Sequence, residues 1–428
     1  MKKVRRTAAY ICCLLAAAGI LGGCTGSDEN RVSEDSQEIV IPMTLTVDPT
    51  TGNKNEQTVV EAFNKEYKGK YYLDVEWVME TEEEYRQNLK RMNVTDHLPA
   101  ILTDLRMLPS YYQMMIEDGR IEDLSEEINK DQEWKDMIEP VVMEGCSEPD
   151  GSIYLAPLST AAFSCSGVFW NQELFEEAGI EKFPETWEEF WECCEALKQH
   201  GITPLALHTE GTAWAPMLLA TACAADSEEG AAFMKELYPS TYENESGKEI
   251  AAALKKLFAY TTEDAIHTDF DVAYINFVQG KAAMIPNGYW MIDQIPEDVV
   301  NHVRFSAFPG NKLISSPETF GWSVVSDYSR EVKEGAIEFL KFRTKLNREE
   351  REELFAEGGK SSLQVVQDYI QAYRQNPQIV PNYQVKWNSI LQEETLGEIL
   401  PLLVQDKISV DEFVRLEDES IQQFNAER

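Results

Sequence analysis

An α/β protein with doubly wound sheets is what this sequence predicts, on three observations. Runs of β-branched, alternating residues are followed by stretches of helical apolar spacing. Short turns separate the two, and the alternation recurs over most of the chain. Residues 39–47 (IVIPMTLTV) read as a strand, and Asp48 through Asn53 is turn chemistry. Gln57–Tyr67 carries Val59, Val60, Phe63 and Tyr67 on one helical face, and Tyr71–Val78 returns to strand. Glu82–Met92 reads as a helix, Ala100–Thr103 as a short strand and Tyr111–Ile116 as a helix. The order predicts a mostly parallel sheet.

The middle of the chain repeats the scheme with more helix. Gly167–Trp170 reads as a strand and Gln172–Ala178 as a helix closed by Gly179. Thr186 is placed to cap a helix reaching His200, with Glu188 and Glu189 in its first turn and Gly201 after its end. Ile202–Leu207 follows as a strand and Trp214–Ala225 as an apolar helix. Helices continue to about Tyr260, and another ends at Gly280 before a strand over Lys281–Ile285. From Lys333 onward helices dominate.

The N-terminus is an export signal. Lys2, Lys3, Arg5 and Arg6 precede an apolar run from Ala8 to Leu21, shorter than the roughly 20 residues a bilayer core needs. The run ends on Gly22-Gly23-Cys24, an arrangement that resembles a lipobox, whose cysteine is acylated and becomes the new N-terminus. Two acyl chains suffice for stable anchoring, so Cys24 is the expected lipidation site and attachment to the membrane is by lipid. Residues 1–23 are then the signal peptide, and 24–37, rich in small and charged residues, a flexible tether. The expected location is the outer face of the cell membrane.

With 75 acidic against 38 basic residues, the chain carries a net charge of −37, which repels phosphate backbones and excludes nucleic acid as a partner. Hydrophobic content of 43% separates it from acidic disordered chains. Beyond Cys24 the mature cysteines are Cys146, Cys165, Cys193, Cys194 and Cys223, an odd number without a C-x-x-C, and they read as buried thiols.

Catalytic and cofactor motifs are missing. None of the five histidines lies in an H-E-x-x-H, and neither G-x-S-x-G nor G-x-G-x-x-G occurs, so no metal and no cofactor is expected. Gly359-Lys360-Ser361 ends like a phosphate loop, but Leu354 stands where the opening glycine belongs, and the helix precedes the loop. Paired acids such as Glu188-Glu189 sit in helical patterns and read as solvated faces.

Five segments in order carry a family resemblance. They are Phe169–Phe175 with Ala178-Gly179-Ile180, then Pro184–Phe190, Gly201–Leu205, Phe277–Met284 with Asn287-Gly288-Tyr289-Trp290, and Ala336–Phe342. Together, over about 39–428, they resemble the extracellular solute-binding proteins that serve carbohydrate ABC transporters. The resemblance implies a two-lobed fold of the periplasmic-binding type, its doubly wound sheets joined by hinge crossings, with a ligand held between the lobes. It implies a first lobe of 38–155 with 284–326 and a second of 156–283 with 327–428. The implied partners are a carbohydrate and membrane-spanning permease subunits, with the protein acting as a monomer and not as an enzyme. A surface glycoside hydrolase and a sugar-sensing module for a sensor kinase are the alternatives.

A sugar presents an apolar ring face and a rim of hydroxyls, so aromatic planes and oxygen-bearing side chains at strand ends are the candidates. Trp290 lies where the family's cleft tryptophan lies, in what reads as a loop after a strand. Trp214 closes the loop after Ile202–Leu207, which also holds Glu210. Trp322 and Trp387 complete the aromatic set, while Trp77, Trp187 and Trp191 read as core, and Trp134, in a polar stretch, carries no assignment. Asp104 matches a hydroxyl-binding acid of relatives; Asp48, Asn53 and Glu80 follow the first two strands. Ser164 stands where maltose-binding relatives use a carboxylate, which argues against maltose.

Overall fold

A computed structural model describes residues 38–46, 54–79, 82–102, 109–158, 165–210, 213–236, 239–315, 322–357, 361–381 and 395–427. Two separate sheets organise it, each covered on both faces. The first has four strands in the order β2-β1-β3-β9: Tyr71–Val78, Ile39–Thr46, Ile101–Leu102 and Ser323–Val324. β1 is parallel to β2 and β3, and only β9 runs the other way. The second sheet has six strands. Its path is β10 (Gln378–Pro381), β8 (Lys312–Ser315), β4 (Cys165–Asn171), β6 (Ala282–Gly288) and β5 (Thr203–Leu205), with β7 (Val303–Ser306) also paired to β4.

Side-chain alternation builds the layers. On β1, Ile41, Met43 and Leu45 face a core shared with Phe63, Trp134 and Phe339. Leu102 and Val325 face the opposite core, formed with Tyr85, Leu89 and Met115. In the second lobe Val168 and Trp170 point to one core and Cys165 and Phe169 to the other. A strand so placed is buried on both faces, and β4 is buried at every residue but Asn171.

Local signals behave as the sequence predicts. Thr186 and Glu189 form a reciprocal capping box on the helix Trp187–Gln199, and Gly179, Gly201 and Gly280 end their helices or turns at positive φ. Cys146, Cys165, Cys193 and Cys194 are buried thiols and Cys223 is half-buried, with no disulfide among them. Among the described residues no helix is long and apolar enough to cross a membrane, and no cluster of His, Cys, Asp or Glu is arranged to hold a metal ion.

Three expectations need correction. The second sheet is mixed and not mostly parallel, because β4 runs against β6, β7 and β8. Asn287 and Gly288 are not a loop: β6 continues to Gly288, because β4 supplies ladder partners to the end, Gly167 for Asn287 and Ser166 for Gly288. The lobe boundaries also move. Residues expected in the first lobe, from Met284 to Ser315, supply β6, β7 and β8 of the second sheet, and only β9 of 284–326 joins the first. Within 327–428, the helix Arg330–Glu357 starts in the first lobe's core, with Val332, Ala336, Phe339 and Leu340, and ends with Leu354 and Phe355 against the second's. At Gly335 an added Cβ would stand 2.7 Å from Ile41 and Tyr71, so glycine lets this helix lie directly on β1 and β2.

Trp134 is 1% exposed, and its indole N–H donates to Thr344 Oγ1 at 3.1 Å. Its polar neighbours in sequence gave no sign of this anchor. Trp77, Trp187 and Trp191 pack partly buried against the cores, as read from the sequence.

Glu417, on the helix Val410–Glu427, is fully buried and neither carboxyl oxygen has a partner. Burial holds its carboxyl well above the usual range near 4.5, so the folded state binds a proton the unfolded chain releases. Stability from this group is present below about pH 4.5 and is lost as pH rises toward the folded value. Glu417→Leu is expected to raise stability at pH 7 by about 1–3 kcal/mol, with less of a gain at pH 4, measured by denaturant unfolding. An equal effect at both pH values contradicts a protonated core carboxyl.

Candidate functional site

Strand register fixes where a ligand would meet both lobes. Thr46, Val78 and Leu102 end the parallel strands on one edge of the first sheet, where β9 begins at Ser323. On the second sheet, Cys165, Gly288, Ser315 and Pro381 share one edge. The chain passes between these edges from Leu158 to Cys165 and from Ser315 to Trp322. Seven residue steps span at most about 25 Å, which keeps the two edges near each other. Open α/β sheets bind ligands at such edges.

An aromatic cluster stands on the second sheet's edge. Trp214 opens the helix Trp214–Ala224 after Ala213, which takes a left-handed backbone at φ 48° to turn the chain into the helix. The Trp214 ring lies 4.6 Å from Phe270 and 6.5 Å from Trp290, centroid to centroid. Trp290 is 40% exposed, a large apolar surface left open to solvent. Its ring covers Gly288, where a Cβ would stand 2.1 Å from the indole, so only glycine admits this placement. Phe270 begins the helix Phe270–Val278, capped by Asp269, whose side chain accepts from the Val272 amide at 3.2 Å.

Below the cluster the polar groups are unusual. His208 is 1% exposed and stands edge-on to Trp214 and Phe270, at 6.1 and 5.9 Å. Its Nδ1 lies 3.1 Å from the Glu210 carbonyl and therefore carries the proton, which leaves Nε2 as an acceptor. Burial pushes the imidazole down to about 4, against that hydrogen bond and the nearby Asp269, so the ring is neutral at physiological pH. The amides of Thr209 and Glu210 both donate to the Thr268 carbonyl, tying the two segments together.

The structure brings together Trp214, Trp290 and Glu210, whose residue is exposed beside His208. Trp322 is placed on the first lobe. There it stacks on Phe339 at 5.4 Å beneath the Arg343 guanidinium, and its ring is spent largely on packing. Asp48, Asn53, Glu80, Asp104, Ser164, Trp387 and Cys24 lie outside the described residues. Phe270, His208, Thr268 and Ser166 are additions; the Asp269 cap before an aromatic residue was the only signal, and it reads equally as plain helix chemistry.

A concavity of about 240 Å³ lies on the first lobe between Thr44, Asp74, Glu76, His97 and Tyr328. It flanks the middle of β1 and β2 rather than their carboxyl ends. Its aromatic rings are the His97 imidazole and Tyr328, whose hydroxyl is committed to the Leu98 carbonyl at 2.6 Å. The aromatic edge is the better candidate because it combines an exposed indole plane, Trp290, with buried acceptors.

Comparison with known proteins agrees with this architecture. A family model described as bacterial extracellular solute-binding protein matches residues 58–389. A multiple sugar-binding protein of Streptococcus mutans is 28% identical over 171 residues, which is 37% of this chain and 39% of that relative's length. Among solved structures, the sugar-binding protein MalE of Xanthomonas citri superposes with a TM-score of 0.69 at 13% identity, covering 91% of this chain and 98% of its own. A Streptococcus pneumoniae solute-binding protein in complex with the blood group A-trisaccharide gives a TM-score of 0.68 at 19% identity, covering 90% and 100%. The two-lobed arrangement and the match over most of its length place this chain in the family of bacterial extracellular solute-binding proteins.

Proposed function

We propose that this protein is a receptor that captures a neutral oligosaccharide between its lobes and delivers it to the membrane-spanning subunits of an ABC importer, without chemistry on the sugar. In this reading it acts as a monomer held to the outer face of the membrane by lipid on Cys24. The observation that carries the reading is the pair Trp214 and Trp290, two indoles 6.5 Å apart at a sheet edge, one of them open to solvent. Aromatic planes, here tilted 49° to one another, suit the apolar faces of sugar rings. Glu210 and His208 supply acceptors for hydroxyls, and the described edge carries no cluster of cations that would select an acidic sugar. The named sugar ligands of the relatives point the same way.

The reading is tested by thermal unfolding of the mature protein against maltotriose, chitotriose, xylotriose and raffinose. A ligand at 100 times its Kd adds about 2.7 kcal/mol, a visible shift. A shift with at least one glycan and no product formed is expected; no shift with any of the four, or release of product, contradicts the receptor reading. Trp290→Ala is expected to weaken binding of the shifting glycan about tenfold, or about 1.4 kcal/mol, with an unchanged melting temperature in the absence of sugar. Unchanged affinity removes Trp290 from the site. Cys24→Ala is expected to move the protein from the membrane fraction to the medium, and retention in the membrane fraction contradicts the lipid anchor.

A further inference from the structure

Four side-chain polar atoms around the aromatic edge are buried without any hydrogen-bond partner: Ser166 Oγ, His208 Nε2, Thr209 Oγ1 and Thr268 Oγ1. Native proteins rarely leave such groups unpaired, since each unmet group bears the loss of its hydration. Here four occur at one edge of the second sheet: on β4, just after β5, and just before the helix Phe270–Val278. Ser166 pairs across the sheet with Gly288, the residue under the Trp290 ring. His208 and Thr209 follow β5, and Thr268 is held to them by its carbonyl, which accepts from the Thr209 and Glu210 amides at 3.3 and 3.0 Å. Trp214, the half-buried wall of the cluster, stands over His208.

The geometry points to a hydrogen-bonding floor beneath the aromatic walls, in which Ser166, His208, Thr209 and Thr268 receive a hydroxyl-bearing part of the ligand, with His208 as its acceptor. The proposal deepens the sugar-receptor reading and rests on it. The chemistry is specific. His208 donates from Nδ1 to a backbone carbonyl, so Nε2 accepts and does not donate. Its complement is an O–H or N–H donor, and the three hydroxyls beside it either donate or accept. A polyhydroxylated rim satisfies all four, whereas a carboxylate or phosphate would meet the Nε2 lone pair with its own. Solvent does not reach these atoms in this structure. A ligand hydroxyl therefore meets them after the Trp214 ring shifts, or through one enclosed water.

The test compares wild type, His208→Phe, His208→Gln and Thr268→Val by intrinsic tryptophan fluorescence titration, using whichever of maltotriose, chitotriose, xylotriose and raffinose shifts the wild-type melting temperature. His208→Phe keeps a ring against Trp214 and Phe270 but removes the acceptor, and is expected to weaken binding about tenfold or more. His208→Gln is expected to recover part of that loss, because its amide oxygen accepts. A purely structural role predicts the reverse: His208→Phe folds with equal or higher stability and binds like wild type, and that result overturns the proposal. Should His208→Phe fail to fold, Ser166→Ala and Thr268→Val decide, and wild-type affinity in both overturns it. If no glycan shifts the wild type, the receptor reading itself falls and the floor with it. Binding by wild type with no loss in the variants removes the floor alone.

Discussion

The helix Arg330–Glu357 belongs to both lobes, and the relation of the two sheet edges depends on it. Its first half lies on β1 and β2 through Gly335, close enough that a methyl group there would collide with Ile41 and Tyr71. Its last turns reach the second lobe through Leu354 and Phe355. At about 1.5 Å per residue, its 28 residues span about 42 Å, the reach of a strut across two domains. Ion pairs line its contact with the first lobe: Lys333 with Glu122, Lys341 with Asp131, Arg343 with Glu56 and Arg351 with Glu139. Half-exposed pairs of this kind add little stability and serve mainly to fix register. The strut is therefore seated mainly on the first lobe and meets the second through its last turns.

Given that arrangement, the candidate edge follows from strand direction. β4 runs against its neighbours, so the chain enters the second sheet at the edge where β6, β8 and β10 leave it. Trp290, the exposed aromatic residue that follows β6, then falls on that side. Gly288 yields its side-chain space to the Trp290 ring there.

Much of this was legible in the sequence. Strands β1 and β2 and the helix Trp187–Gln199 announce themselves through alternation and capping, which are local. Trp214 and Trp290 could be picked out because each follows a strand, and strand ends are where such sheets bind. The strands Val303–Ser306, Lys312–Ser315 and Gln378–Pro381 were not legible; four residues are too few for a period to show, and ladder partners remote in sequence define them. The lobe boundaries failed for the same reason. The proposed polar floor was hidden because Ser166, His208 and Thr268 lie on segments remote in sequence, and an isolated threonine or histidine carries no pattern.

The central claim is that both sheet edges close on one ligand. Hydrogen–deuterium exchange of the mature protein, with and without a bound glycan, tests it most directly. The account predicts slowed exchange on both lobes, at Leu102 and Ser323 of the first and at Leu207–Glu210 and Gly288–Trp290 of the second. Protection confined to one lobe, or centred on the concavity beside Asp74 and Glu76, would contradict it.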